Sequence, residues 1–179
     1  MRYFLAISPP ENICKMISSY YDQSLKDTSW TDVHQIHLTL RFLGDIDTQK
    51  IELIKKRLKM IQHQSFQIQW DKIGCFYRGK TPQILWLGVI VGAGFVDLKK
   101  KIDDILFEFD IPKEKRVFHP HLTLARCKNV NPLDIKRWIE KHRPRKIPPI
   151  LIKEFDLFTS TLSENAAVHK IEKKFHLIP

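Results

Sequence analysis

The sequence predicts an α+β fold: two pseudo-symmetric lobes of antiparallel β-sheet flanked by helices, with a cleft between them. Three observations predict it. The tetrapeptide His37-Leu38-Thr39-Leu40 returns as His121-Leu122-Thr123-Leu124, 84 residues later. Each copy sits in an apolar run that reads as a strand, 36–43 and 118–125, where successive side chains point to opposite faces. Around each copy the order strand–helix–strand–helix–strand is repeated at the same offset, which marks an internal duplication. The 179 residues are therefore expected to form one bilobal domain, 1–179, rather than two independent ones.

The first strand is expected at residues 2–7, and Pro9-Pro10 then opens a helix, since proline is tolerated in a first helical turn. Ile13, Met16, Ile17 and Tyr20 give that helix a buried stripe. The chain turns near Trp30-Thr31 and enters the strand that carries His37, which ends at Gly44-Asp45. Thr48 is expected to cap a second helix, with Ile51, Ile54, Leu58 and Ile61 on one face and a solvated lysine-rich face opposite. Two strands, 66–73 and 84–91, follow, joined by a loop through Tyr77-Arg78-Gly79-Lys80-Thr81-Pro82.

From Trp86 the pattern starts again: a strand to Val91, a break at Gly92-Ala93-Gly94, and a helix with Leu98, Ile102, Ile105 and Phe109 inward. The strand with His121 comes next. Asn131-Pro132 is an N-cap followed by a first-turn proline, opening a helix that buries Ile135, Trp138 and Ile139. A basic, proline-rich link at 142–149 leads to strands at 151–158 and 168–177.

Composition narrows the function. The longest apolar run, 84–91, is too short to span a bilayer. The apolar N-terminus stops at Ser8-Pro9-Pro10 without a cleavage-type sequence, so no membrane association and a cytoplasmic location are expected. Three scattered cysteines, Cys14, Cys75 and Cys127, argue for reduced thiols and against disulfides or structural zinc. The net charge of +10 favours a polyanionic partner.

On an alternating strand His37 and Thr39 share a face, as do His121 and Thr123, while the four leucines point into a core. Two imidazoles across a cleft suit paired proton transfer near neutral pH. Threonine hydroxyls can hold phosphoryl oxygens. Neither motif stands beside a serine or cysteine nucleophile or beside the carboxylates of an oxygen-rich metal site. The expected chemistry is general acid/base catalysis on a phosphoester without metal or cofactor, with the cleft as active site. Arg41, two residues beyond Thr39, is expected on the same face as a phosphate contact, and Tyr77 as an RNA contact in a flexible cationic loop. His63, His142, His169 and His176 read as surface residues.

The segments His37-Leu38-Thr39-Leu40-Arg41-Phe42-Leu43-Gly44 and Phe118-His119-Pro120-His121-Leu122-Thr123-Leu124-Ala125-Arg126 resemble the signature strands of the two-histidine phosphoesterases. Within that superfamily the chain is most similar to the RNA 2',3'-cyclic phosphodiesterase family, formerly called 2'-5' RNA ligases. The resemblance runs from Arg2-Tyr3-Phe4-Leu5-Ala6-Ile7 to Leu157-Phe158-Thr159-Ser160-Thr161-Leu162. It implies opening of an RNA-terminal 2',3'-cyclic phosphate, tRNA fragments among the substrates, to a 2'-phosphate by a monomeric enzyme, with reverse 2'-5' ligation. It assigns His121 to water activation and His37 to protonation of the departing O3', an assignment that can be exchanged. Thr39 and Thr123 would hold non-bridging oxygens, and Arg126 matches the family arginine after the second motif. Ala166 and His169 stand where the family often has glycine and tyrosine. Two alternatives stay open: a phosphodiesterase for 2'-5' oligoadenylates or small nucleotide cyclic phosphates, and a non-catalytic RNA-end binding module.

Overall fold

A computed structural model describes residues 1–142, 147–162 and 167–179. Ala166 and part of the 142–149 link lie outside the described residues. The first half consists of β1 (Arg2–Ile7), α1 (Glu11–Ser18), β2 (Thr28–Trp30), β3 (Leu38–Asp45), α2 (Thr48–Leu58) and β4 (Phe66–Arg78). The second consists of β5 (Thr81–Val91), α3 (Ala93–Phe107), β6 (His121–Cys127), α4 (Pro132–Lys141), β7 (Ile150–Ile152), β8 (Glu154–Leu162) and β9 (Ala167–His176).

Caps set the helix starts. Asn131 accepts a hydrogen bond from the Leu133 amide at 2.9 Å, as its sequence predicts. For α2 the cap is Asp47, which accepts from the Lys50 amide at 2.8 Å; Thr48 is already helical. The 77–82 segment is no loop: β4 and β5 stay paired down to Arg78↔Thr81, and Gly79, at φ +59°, makes the turn. The turn near Trp30 contains the short strand β2, which pairs with β6.

The strands form one sheet in the order β7-β4-β5-β6-β3-β1-β8-β9, with β2 beside β6. Outward from its centre the order matches on both sides: β3, β1, β8, β9 against β6, β5, β4, β7. Each half lends strands to the other side, because β4 pairs with β5 and β2 with β6, while β8 pairs with β1 and carries β9 beyond it. Leu38 pairs with Leu122 at the centre, the same position of the two tetrapeptides. The lobes are thus joined edge to edge. The motif strands, one from each lobe, meet there at that single pair.

Leu38, Leu40, Leu122 and Leu124 are fully buried in a core that all four described helices share. On the other face Phe4, Ala6 and Phe158 form a small separate cluster. The helices therefore cover one side of the sheet and leave the histidine side accessible.

Candidate active site

Pairing at Leu38↔Leu122 fixes what surrounds it. Directly opposed residues of antiparallel strands share a face, so the neighbours of the two leucines all project to the other one. The antiparallel register brings His37 alongside Thr123 and His121 alongside Thr39. All four side chains are half-buried at the junction of the lobes.

Both imidazoles are held in the same way. His37 Nδ1 donates to the Gln35 carbonyl, two residues back, at 2.8 Å. His121 Nδ1 donates to the His119 carbonyl, two residues back, at 2.6 Å. A carbonyl oxygen can only accept, so each neutral ring carries its proton on Nδ1 and presents the Nε2 lone pair. The Gln35 carbonyl comes from a single turn of 3-10 helix, Val33–Gln35, capped by Asp32. Each ring also leans on a phenylalanine from the third strand of its lobe: His37 on Phe158 at 5.8 Å, His121 on Phe76 at 4.9 Å between centroids.

Burial dominates the electrostatics. It holds His37 down at about 4, against the raising effect of its bond to Gln35, and the charges of His169, His121 and Arg126 push the same way as burial. Burial also lowers His121, partly offset by its bond to the His119 carbonyl, with a smaller lowering from the His119 charge. Both rings therefore rest neutral at pH 7.

A bulge in each motif strand decides which arginine joins them. Ala6 pairs with Thr39 and Leu5 with Arg41, so Leu40 is an extra residue; Trp86 pairs with Thr123 and Leu85 with Ala125, so Leu124 is its counterpart. An extra residue reverses the facing of everything after it. Phe42 and Arg126 consequently lie on the histidine side, while Arg41 is turned into the core. Arg41 is thus not a phosphate contact. It is 3% exposed, ion-paired to Asp103 at 3.2 Å and Glu114 at 3.1 Å, and bonded to the Pro112 carbonyl. Tyr77 is not brought to the histidines either. Its hydroxyl interacts with Cys75, on the face opposite Phe76. Arg126 is exposed and has no carboxylate partner among the described residues.

His169 is the residue that sequence reading misplaces. Far from the surface role expected of it, it packs edge-on against His37, centroids 5.3 Å apart, and against Phe4 at 4.9 Å. The Gln35 side chain clamps its backbone, Oε1 accepting from the His169 amide at 2.9 Å and Nε2 donating to its carbonyl at 3.1 Å. Gln35 thus holds both histidines. Nδ1 of His169 is buried without a partner among the described residues, a cost of about 1–3 kcal/mol. Burial, then Arg126, lowers its pKa. No local sequence signal announces this, because β9 reaches His37 through the sheet order. His63 is also no surface residue; it is buried beside Asp97, 3.3 Å away. His142 stacks on Trp138 at 4.4 Å, and His176 is exposed.

His119 packs against Trp86 at 4.7 Å and tilts 6.1 Å from His121. No group of three or more potential metal ligands occurs among the described residues. No helix among them is long and apolar enough to cross a membrane.

A family model described as the 2'-5' RNA ligase superfamily matches residues 9–159. The chain belongs to the 2'-5' RNA ligase superfamily. Among its curated relatives in this superfamily is an RNA 2',3'-cyclic phosphodiesterase of Methanocaldococcus jannaschii, 31% identical over 98% of this chain and 100% of the relative. Another of that name, from Aquifex aeolicus, is 31% identical over 83% of this chain and 81% of its own. The crystal structure of E. coli LigT complexed with 3'-AMP superposes with a TM-score of 0.81 at 22% identity, covering 99% of this chain and 98% of that one. That likeness shows the shared α+β, two-lobed fold.

Proposed function

We propose that this superfamily member is an RNA 2',3'-cyclic phosphodiesterase that opens terminal cyclic phosphates to 2'-phosphates with its paired histidines. The carrying observation is the matched pair itself: two imidazoles, each fixed by an Nδ1 bond to the carbonyl two residues back, each presenting Nε2 on one sheet face. The relatives named RNA 2',3'-cyclic phosphodiesterase support the reaction class, and the charge of +10 supports an RNA substrate.

In this reading Nε2 of His121 accepts a proton from water as it attacks phosphorus. The P–O3' bond breaks, and Nε2 of His37 delivers a proton to O3'. His37 is neutral in the free protein. The negative phosphate offsets the burial that keeps it so, and the proton arrives together with the substrate. Thr39 and Thr123 hold non-bridging oxygens, and Arg126 stabilises the charge that gathers on them. With a 5'-hydroxyl in place of water, the same steps form a P–O5' bond as the P–O3' bond breaks, and the product is the 2'-5' linkage of the ligation reaction. Residues 1–179 act as one bilobal domain; the matched strand order supports its origin in an internal duplication.

The test is product analysis. A cyclic-phosphate oligonucleotide incubated with the protein in chelator should yield a 2'-phosphate end. A 3'-phosphate product, or absolute dependence on added metal, would overturn the mechanism.

A further inference from the structure

The two lobes match row by row on the histidine face, and there they differ in charge. In the second lobe Arg126 pairs with Ile84 and Ile84 with Phe76, one row across three strands. The corresponding row of the first lobe is Phe42, Phe4 and Phe158. In the next row outward, Arg78, two residues beyond Phe76, matches Ser160, two beyond Phe158. Phe76 packs on His121, and the bulge beside it puts its extra residue, Gln83, in β5. β4 therefore stays regular there, and Arg78 keeps the facing of Phe76. Both arginines are exposed, and Lys80 follows Arg78 across the tight turn at Gly79. None of these three cations makes an ion pair among the described residues. The first lobe offers no free cation in the same two rows. Its inner row is all phenylalanine, and Arg2, opposite Ser160, is ion-paired to Asp45 at 3.4 Å.

We propose that the RNA strand upstream of the cyclic phosphate leaves the site over the second lobe, with a phosphodiester held by Arg78 and Lys80 behind it. This rests on the cyclic phosphodiesterase reading. A cyclic phosphate occupies O2' and O3' of the terminal ribose, so the rest of the strand continues from O5', one phosphodiester per nucleotide. The cyclic phosphate lies at the junction of the lobes, and a strand that stays on the sheet crosses one lobe or the other. Charge selects the second. A free guanidinium holds two phosphate oxygens through its fork. The row of phenylalanines in the first lobe, ending in the exposed Phe42, gives a phosphate nothing in exchange for its water. Arg126 and Arg78 stand in successive rows leading away from the histidines, so the path that begins at the reacting phosphate continues to the ones before it. Tyr77 takes no part, since it faces the other side of the hairpin; the RNA contact there is its cationic neighbour.

The experiment measures kcat/KM of the full chain on adenosine 2',3'-cyclic phosphate and on an adenosine trinucleotide ending in the same cyclic phosphate. The wild type should prefer the trinucleotide by at least about tenfold, the worth of one charged contact to a phosphodiester. In Arg78→Gln and Arg78→Glu the preference should shrink to within about threefold, through loss on the trinucleotide alone. Turnover of the mononucleotide reports that each variant is folded. Arg78→Gln should also flatten the plot of log kcat/KM against log salt for the trinucleotide by about 0.7 in slope, the share of one single-strand phosphate contact. Lys173→Glu makes the same change of charge as Arg78→Glu plus one unit of neither row, on β9 of the first lobe, and should leave the preference in place. A wild type without preference, Arg78 variants that keep it, or an equal loss in Lys173→Glu would overturn the path while leaving the activity standing. No turnover of either substrate would overturn the activity and the path with it.

Discussion

Arg126 occupies in its strand the position that Phe42 occupies in the other, and the same bulge turns both onto the histidine face. The two lobes are therefore alike in how they hold an imidazole and unlike in what they place beside it. One offers a guanidinium without a carboxylate among the described residues; the other offers a ring that is 63% exposed. Replacing Arg126 by alanine should lower kcat/KM on a cyclic phosphate by about 10- to 100-fold, the worth of a hydrogen bond from a charged donor. Steady-state kinetics at constant salt checks it, and a loss under threefold would remove Arg126 from the site.

Arg41 should behave in the opposite way. Its guanidinium ties β3 to Asp103 on α3 and to Glu114 in the segment leading to the second motif. Arg41→Met leaves those carboxylates without their partner. Both are partly exposed, so the cost falls below that of a fully buried pair, at about 2–3 kcal/mol. Thermal denaturation should show Tm lower by about 5–10 °C, with kcat/KM within about threefold of wild type below the transition. A large kinetic defect in a stable variant would contradict the assignment.

The contrast between the two arginines shows where the sequence could be read and where it could not. Period-2 alternation put His37, Thr39, His121 and Thr123 on one face and four leucines on the other, and the structure places them so. The same rule, continued for two more residues, sent Arg41 to the wrong side. Alternation holds only while the register is unbroken, and nothing in Leu40-Arg41 announces the bulge. The counterpart Leu124-Ala125 does carry a hint, since two consecutive apolar residues ahead of an arginine suit a bulged strand with both turned inward. His169 was invisible for a different reason. Its packing on His37 and its clamp by Gln35 join distant parts of the chain, and periodicity carries no information about which strands become neighbours. The helices were legible because their apolar spacing and the Asn131-Pro132 cap are local.

Gly74 tests the packing under the second motif. A Cβ at this position would fall inside the indole of Trp86, which itself packs on His119 and Phe76. Gly74→Ala should destabilise the fold by about 1–3 kcal/mol through overpacking and push Trp86 out of its buried environment. Denaturant unfolding measures the first effect and a red shift in tryptophan emission the second. Unchanged stability and emission would mean that Trp86 has room to spare.

Alanine at either histidine should cost about 10²- to 10⁴-fold in kcat, the span of general acid or base assistance. Far-UV circular dichroism would confirm that each variant is folded, and a loss under tenfold in either would count against paired catalysis.

The pH profile follows from the directions of the two shifts. Productive free protein needs one histidine neutral and the other protonated, and that singly protonated pair is most abundant between the two pKa values. His37 lies at about 4 and His121 below the usual 6.5. The profile of kcat/KM, which reports the free protein, should therefore peak on the acid side of pH 6.5 and decline as pH rises further. Bound phosphate raises both imidazoles by supplying the negative charge that burial lacks. The alkaline limb of kcat, which reports the complex, should accordingly lie at higher pH than that of kcat/KM. Between the two limbs KM should rise with pH, because substrate must bring its proton from an increasingly dilute supply. Superimposable profiles, or a kcat/KM maximum above pH 7, would show that the rings do not exchange a proton with the bound phosphate in this way.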